Sequence, residues 1–281
     1  SPGSSGAPRA HTPDLPGAAA GPRGRAVLAP AIRVPTLCGP PIGGILADRL
    51  GDRSTFLVAG ALGLAALACA YLSLPTERAG ADRLRPTLGL AAIYHVLRRP
   101  ALAILMVGCA LPAKMLLVGL VFYLVPLELT RGGFEQATIG RILMLYALAM
   151  LIVVPIVAKR SDAAGRRPRY VLIGGLLSSC SVIHLLLWPA PWGATLAVLH
   201  LGIAQALSIT PQSALVGEYG RLLAPQVPES LLYGVFRLVE RLGNAIGPAM
   251  AAWLLGVYGP QTAGLAIGGL ALLGTLSFAL L

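Results

Sequence analysis

GPPIGGILADRLGDR, residues 39–53, is the stretch on which the reading of the fold turns. Its first half combines Gly39, Pro40, Gly43 and Gly44. Glycines strip bulk from a helix face so that a neighbour can approach, and proline deletes a backbone hydrogen bond and bends the helix. Its second half, Asp48 to Arg53, is a short charged turn in which two acids balance two bases. Apolar sequence continues on both sides. The stretch therefore describes a bent membrane helix, a turn and a second membrane helix.

The rest of the chain repeats that pattern. Of its 281 residues, 56% are hydrophobic and only 12% charged, against about a quarter charged in a soluble domain. Mean hydropathy is +0.76. Apolar stretches long enough to cross a bilayer core recur at 27–47, 55–75, 101–127, 138–158, 170–188, 194–216, 233–257 and 261–281. A membrane β-barrel would show short alternating segments instead. The expectation is an all-α membrane protein with about eight transmembrane helices, whose first span is interrupted by Pro30, Arg33 and Pro35. Residues 1–25, rich in Pro, Gly, Ala and Ser, read as a disordered linker or a misassigned start.

A net charge of +11 raises the question of nucleic acid. The arginines are spread over short connections rather than gathered in one patch, so no nucleic-acid partner is expected. The partners expected are the lipid bilayer, a small-molecule substrate and protons. Cys38, Cys69, Cys109 and Cys180 lie in or beside apolar segments without ligand spacing, so no metal site is expected. No cofactor is implied either. G-x-S-x-G, H-E-x-x-H and a phosphate-cradling loop are all missing, which argues against an enzyme and against ATP-driven work.

The connections alternate in charge. Residues 76–99 carry Arg78, Arg83, Arg85, Arg98 and Arg99 against Glu77 and Asp82, and 159–169 carries Lys159, Arg160, Arg166, Arg167 and Arg169 against Asp162. The connections at 128–137, 189–193 and 258–260 are neutral or acidic. By the positive-inside rule the basic connections, with Arg9, Arg23 and Arg25, face the cytoplasm, and Asp48 to Arg53 faces outward.

A weak internal repeat runs at an offset of 208 residues. Gly39-Pro40 returns as Gly247-Pro248, Gly51 as Gly259, and Leu57, Gly60, Leu62 and Leu64 as Leu265, Gly268, Leu270 and Leu272. The background is rich in Gly and Leu, but the constant register and the shared Gly-Pro favour a repeat of the kind transporters are built from. The first two spans then correspond to the last two. Residues 26–75 hold the last two helices of one half, 76–99 the central cytoplasmic loop and 100–281 a complete six-helix half.

With that arrangement the sequence resembles the major facilitator superfamily. Gly39-Pro40-Pro41-Ile42-Gly43-Gly44 is similar to that family's G-P-x-x-G-G signature on its fifth helix, associated with proton-coupled exporters. Asp162-Ala163-Ala164-Gly165-Arg166-Arg167 resembles the D-R-x-G-R-R turn between the second and third helices of each half. It departs from the pattern at Ala158 and Ala163, where Gly and Arg are usual. The resemblance implies a fragment lacking about the first four helices of twelve, from a bacterial inner membrane, with the missing half or another chain as partner. It implies proton-coupled efflux of small organic compounds by alternating access. An uptake symporter for a metabolite and a non-transporting sensor or anchor module are the alternatives. Asp48 to Arg53 imitates the turn motif, but only three spans separate it from Asp162, where true equivalents lie six helices apart.

Lys114 is the sharpest single candidate, a charge near the middle of the apolar run CALPAKMLLVGLVFYLVP. Such charges usually face a cavity or an acidic partner, so it is read either as a substrate or proton-coupling residue or as half of a structural pair. His200 and Gln205 share another apolar span, with His184 on the one before. A histidine suits proton carriage near neutral pH, although a lone one in such a helix more often bonds a neighbour. Tyr123 is a further candidate for the same cavity, and Tyr146 is read as packing or interfacial. Arg237, Glu240 and Arg241 are spaced to form a charged cluster near the start of their span. With Asp162, Gly165, Arg166 and Arg167 they form the expected conformational motifs, Asp162 docking near Arg33. Gly39-Pro40, Gly43, Gly44 and Gly247-Pro248 are read as bends and packing points.

Overall fold

A computed structural model describes the backbone of residues 22–73, 90–162 and 165–281, and side chains within those segments except 22–38, 73 and 90–92. The expected linker before residue 22, the arginines at 78–85 and the docking of Asp162 on Arg33 lie outside what it describes. The described residues are helical almost throughout. We label the helices α1 (Pro22–Ser73), α2 (Leu90–Leu97), α3 (Pro100–Arg131), α4 (Gln136–Asp162), α5 (Arg167–Leu187), α6 (Trp192–Leu223), α7 (Glu229–Tyr258) and α8 (Pro260–Ala279). Six of them are long and apolar enough to cross a membrane. The seventh long helix, α7, carries Glu229, Arg237, Glu240 and Arg241 in its first half. Helix thus takes in the last four residues of the expected linker, and α2 forms inside the expected loop.

Asp48 to Arg53 is tighter than the turn expected from sequence. The helix is interrupted at one residue, Gly51 (φ 79°, ψ 163°), and resumes at once. Gly259 (φ 86°, ψ 172°) makes the same break between α7 and α8. These are the two positions paired by the 208-residue offset, and the conformation is one that only glycine adopts without strain. Gly259→Ala should therefore destabilise the folded chain by about 1–3 kcal/mol, read as a lowered denaturation midpoint in detergent. An unchanged midpoint would mean that the break tolerates a side chain.

The first arm of α1 lies along α4. A side chain at Gly44 would run into the backbone of Gln136, and one at Gly140 into the backbone of Pro40 and Pro41. Gly39 and Gly43, by contrast, face open space. Asp48 completes this contact. Its Oδ1 accepts from the Gln136 N–H at 3.0 Å and its Oδ2 from the Ala137 N–H at 2.6 Å. Those donors open α4 and have no partner within their own helix, so an acidic cap from a neighbouring helix satisfies them. The second arm of α1 touches none of this, and Phe56, Leu57, Leu62 and Tyr71 are exposed along it.

The other helices pack into a bundle around α3 and α6. Lipid tails are as apolar as leucine, so helix association in a membrane depends on close packing more than on removing apolar surface from water. Small residues provide the approach. A Cβ on Gly247 of α7 would lie 2.7 Å from the Met115 carbonyl oxygen of α3, and one on Gly119 would lie 2.9 Å from the Gly247 carbonyl oxygen. One core cluster gathers Leu116, Leu120, Ile139, Leu201 and Ile267, and a second gathers Leu102, Leu105, Leu215, Val235 and Phe236.

Candidate functional site

The site begins with the winding of α3. Pro112 has no N–H to donate, and the helix is π-wound on both sides of it, over Ile104–Ala110 and Leu116–Leu124. The Leu111 N–H bonds the Met106 carbonyl rather than the usual carbonyl four residues back. Such winding is uncommon and concentrates at functional positions. Lys114 sits on the short α-helical turn between the two π segments.

Lys114 has an acidic partner. Its Nζ lies 3.3 Å from Oε1 of Glu240 on α7, and Arg237 Nη1 donates to the other carboxylate oxygen at 2.6 Å. The side chains of Lys114 and Glu240 are 16% and 6% exposed, and that of Arg237 is 69% exposed. Two cations therefore share one buried carboxylate, leaving the trio with one net positive charge. The expected pairing of Arg237 with Glu240 is present. Arg241 is exposed and has no ion pair among the described residues. Glu240 is not at the end of its helix. It lies eleven residues beyond Glu229, where α7 starts, or about 16 Å along the axis.

That placement had a signal in the sequence. Leu232, Phe236, Glu240, Gly243 and Gly247 are all buried and recur at spacings of three and four, the mark of one inward helix face. A carboxylate on that stripe needs a buried cation, and Lys114 is the mid-helix lysine available.

A polar ladder from α6 meets the same part of α3. Gln205 Nε2 donates to the Ala113 carbonyl at 2.7 Å, and Gln212 Nε2 donates to the Leu105 carbonyl at 3.1 Å. The two glutamines are seven residues apart, two turns on one face. Buried Tyr146 of α4 donates from its hydroxyl to Gln205 Oε1 at 2.8 Å, so it joins the network rather than only packing. Lys114, Glu240, Gln205, Ser208 and Gln212 border a cavity of about 10 Å³, room for about one water. Gln212 was not singled out from sequence and Tyr146 was read as packing or interfacial, because an uncharged side chain in an apolar helix does not reveal which neighbouring helix it faces.

The remaining candidates lie elsewhere. His200 Nδ1 and His184 Nε2 are 2.8 Å apart, so His200 has a neighbour on α5 and not Lys114. Tyr123 is half-buried against the core cluster that includes Leu120 and Leu124. It is not among the residues that border the Lys114 cavity. Arg167 donates to Asp162 Oδ1 at 3.0 Å and to Glu218 Oε2 at 3.2 Å, tying the end of α4, the start of α5 and the last turns of α6 together. Gly165 makes the intervening turn at φ 58°, and Arg166 is exposed. Pro248 is half-buried inside α7, one residue beyond the Gly247 contact. No group of three or more His, Cys, Asp or Glu side chains is placed to hold a metal among the described residues.

The family profile of the Major Facilitator Superfamily matches residues 23–227, well over half the chain. The chain belongs to the major facilitator superfamily. It is accordingly an integral membrane protein of a transporter family, with an all-α bundle of that type. Among curated proteins it is similar to the "Glucuronide carrier protein homolog" of Escherichia coli (strain K12), 35% identical over 94 residues. That match covers 31% of this chain and 20% of the relative, so the chain spans about a fifth of the protein it resembles. In superfamily terms, the Lys114–Glu240 pair joins two helices of one bundle, and the Gly44–Gly140 contact joins α1 to that bundle.

Proposed function

We propose that this chain is part of a secondary active transporter that exports small organic compounds in exchange for protons, by alternating access. The observation that carries the reading is the Lys114–Glu240 pair, buried mid-helix beside the amide ladder, with exposed Arg237 on the same carboxylate. Ionisable groups so far from a helix end are expensive in a membrane and mark substrate or proton pathways. The π-wound helix around Lys114 also suits movement better than a regular one. Residues 26–75 serve as the last two helices of a first half, 76–99 as the central loop and 100–281 as the second half. The basic connections face the cytoplasm of a bacterial cell, and the missing helices or a second chain complete the cavity wall. Pro40 with Gly44, and Gly247-Pro248, act as bends packed on a neighbouring helix. Asp162, Gly165 and Arg167 hold one end of the bundle together.

The likeness to a glucuronide carrier homologue favours a second reading, uptake of an acidic sugar with a cation. Lys114 and Arg237 around a single carboxylate would suit such an anion. Proteoliposomes holding the protein and a trapped pH dye separate the two. Export predicts that an imposed proton gradient drives compounds against the direction of proton flow, and uptake predicts movement with it. Lys114→Met should reduce either signal to background. Coupled movement unchanged in that variant would remove Lys114 from the mechanism.

A further inference from the structure

A second polar site lies apart from the Lys114 cluster, at the end of the bundle where α2 meets α3. It is an open concavity of about 300 Å³ walled by His95, Arg98 and Arg99, with Pro100 and, from the connection between α6 and α7, Gln226. Among the described residues no acidic side chain lines it and neither arginine has an ion pair. Two guanidinium groups, an imidazole and an amide thus converge with no acidic partner among the described residues.

The walls are held in place. Val96 of α2 is fully buried and belongs to the core cluster of Leu102, Leu232, Val235 and Phe236, so the neighbouring His95 and Arg98 are carried on an anchored helix. Their depth follows from what comes next. Arg99 immediately precedes the 32-residue apolar helix Pro100–Arg131, which places it at the boundary between hydrocarbon and water. Tyr94 is 59% exposed, and the Arg98 guanidinium lies 5.8 Å from its ring centroid, an arrangement suited to the interfacial layer.

Guanidinium forks match the oxygens of a phosphate better than an ammonium does. A phosphate held at the boundary between hydrocarbon and water is the phosphate of a lipid headgroup. We propose that the concavity binds the phosphate of an anionic phospholipid headgroup, with Arg98 and Arg99 as the direct ligands and His95 and Gln226 as further polar contacts. The lipid would tie α2 and the α6–α7 connection to the membrane surface. This site does not depend on what the protein transports.

The test is native mass spectrometry of the full chain in detergent, titrated with phosphatidylglycerol, with phosphatidylcholine of the same acyl chains, and with inorganic phosphate as competitor. Phosphatidylglycerol should bind and phosphatidylcholine should not. The double variant Arg98→Gln/Arg99→Gln should weaken that binding by about tenfold or more. Arg98→Lys/Arg99→Lys, which keeps the charge and the fold but loses the forks, should fall between it and the native chain. Lys159→Gln/Arg160→Gln, an equal loss of charge on exposed positions elsewhere, should leave binding unchanged. Equal weakening in that control would show diffuse attraction rather than a site. Displacement by millimolar inorganic phosphate would show a soluble-anion site, and retention in the Arg98/Arg99 double variant would exclude the concavity altogether.

Discussion

Lys114→Met should lower the stability of the folded chain by about 3 kcal/mol, near the lower end of what breaking a buried ion pair costs. The effect comes less from the lost attraction than from the carboxylate left behind. Glu240 is 6% exposed and would lose the partner of its Oε1. Arg237 would still hold Oε2 at 2.6 Å, which keeps the effect from being larger. Removing the stranded charge as well should recover part of the loss. The double variant Lys114→Met/Glu240→Gln is therefore expected to be more stable than the lysine variant alone, with a coupling of about 1 kcal/mol or more between the sites. Titration with a denaturing detergent, followed by tryptophan fluorescence, measures the native chain, the single variants Lys114→Met and Glu240→Gln, and the double variant. Strictly additive effects would mean that the two side chains do not act as a pair.

Gly140→Val should have a comparable effect by a different route, about 3 kcal/mol of destabilisation. The added side chain would meet the backbone of Pro40 and Pro41, which cannot swing aside as a side-chain tip can. Displacing α1 would also pull Asp48 from the N–H groups of Gln136 and Ala137, one turn earlier on α4. Hydrogen exchange should then show faster exchange in the first turn of α4. Gly43→Ala provides the contrast. Nothing lies within 4 Å of that position, so the substitution should be neutral or stabilise by up to about 1 kcal/mol. Similar losses in both variants would show that helix flexibility, rather than close packing, explains the glycines.

How far these features could be read in advance depends on where their information is stored. The spans were legible because twenty apolar residues in a row state their own environment. The breaks at Gly51 and Gly259 were legible as paired positions, since a residue needing positive φ leaves a glycine behind in each copy. Lys114 was visible as a charge in the wrong solvent. Its partner was not, because Glu240 looked like a member of a local cluster with Arg237 and Arg241, and spacing along one helix says nothing about the helix across from it. Tyr123 shows the opposite case. It shares the helix with Lys114, but it packs against the core cluster and does not border the Lys114 cavity. Gln212 passed unnoticed and Tyr146 looked like packing, since an uncharged polar side chain does not state which helix it faces.

Hydropathy determines from the sequence that this is a helical membrane protein, and the motifs at Gly39–Gly44 and Asp162–Arg167 carry its resemblance to the major facilitator superfamily. These are properties of single residues and their near neighbours in the chain. Three-dimensional packing alone decides that Asp48 caps α4, that Glu240 answers Lys114 and that Gln205 and Gln212 pin the π-wound helix. Each of these contacts joins residues 88 to 126 positions apart. A contact over that separation depends on the rotation and depth of two helices at once, which no local pattern records.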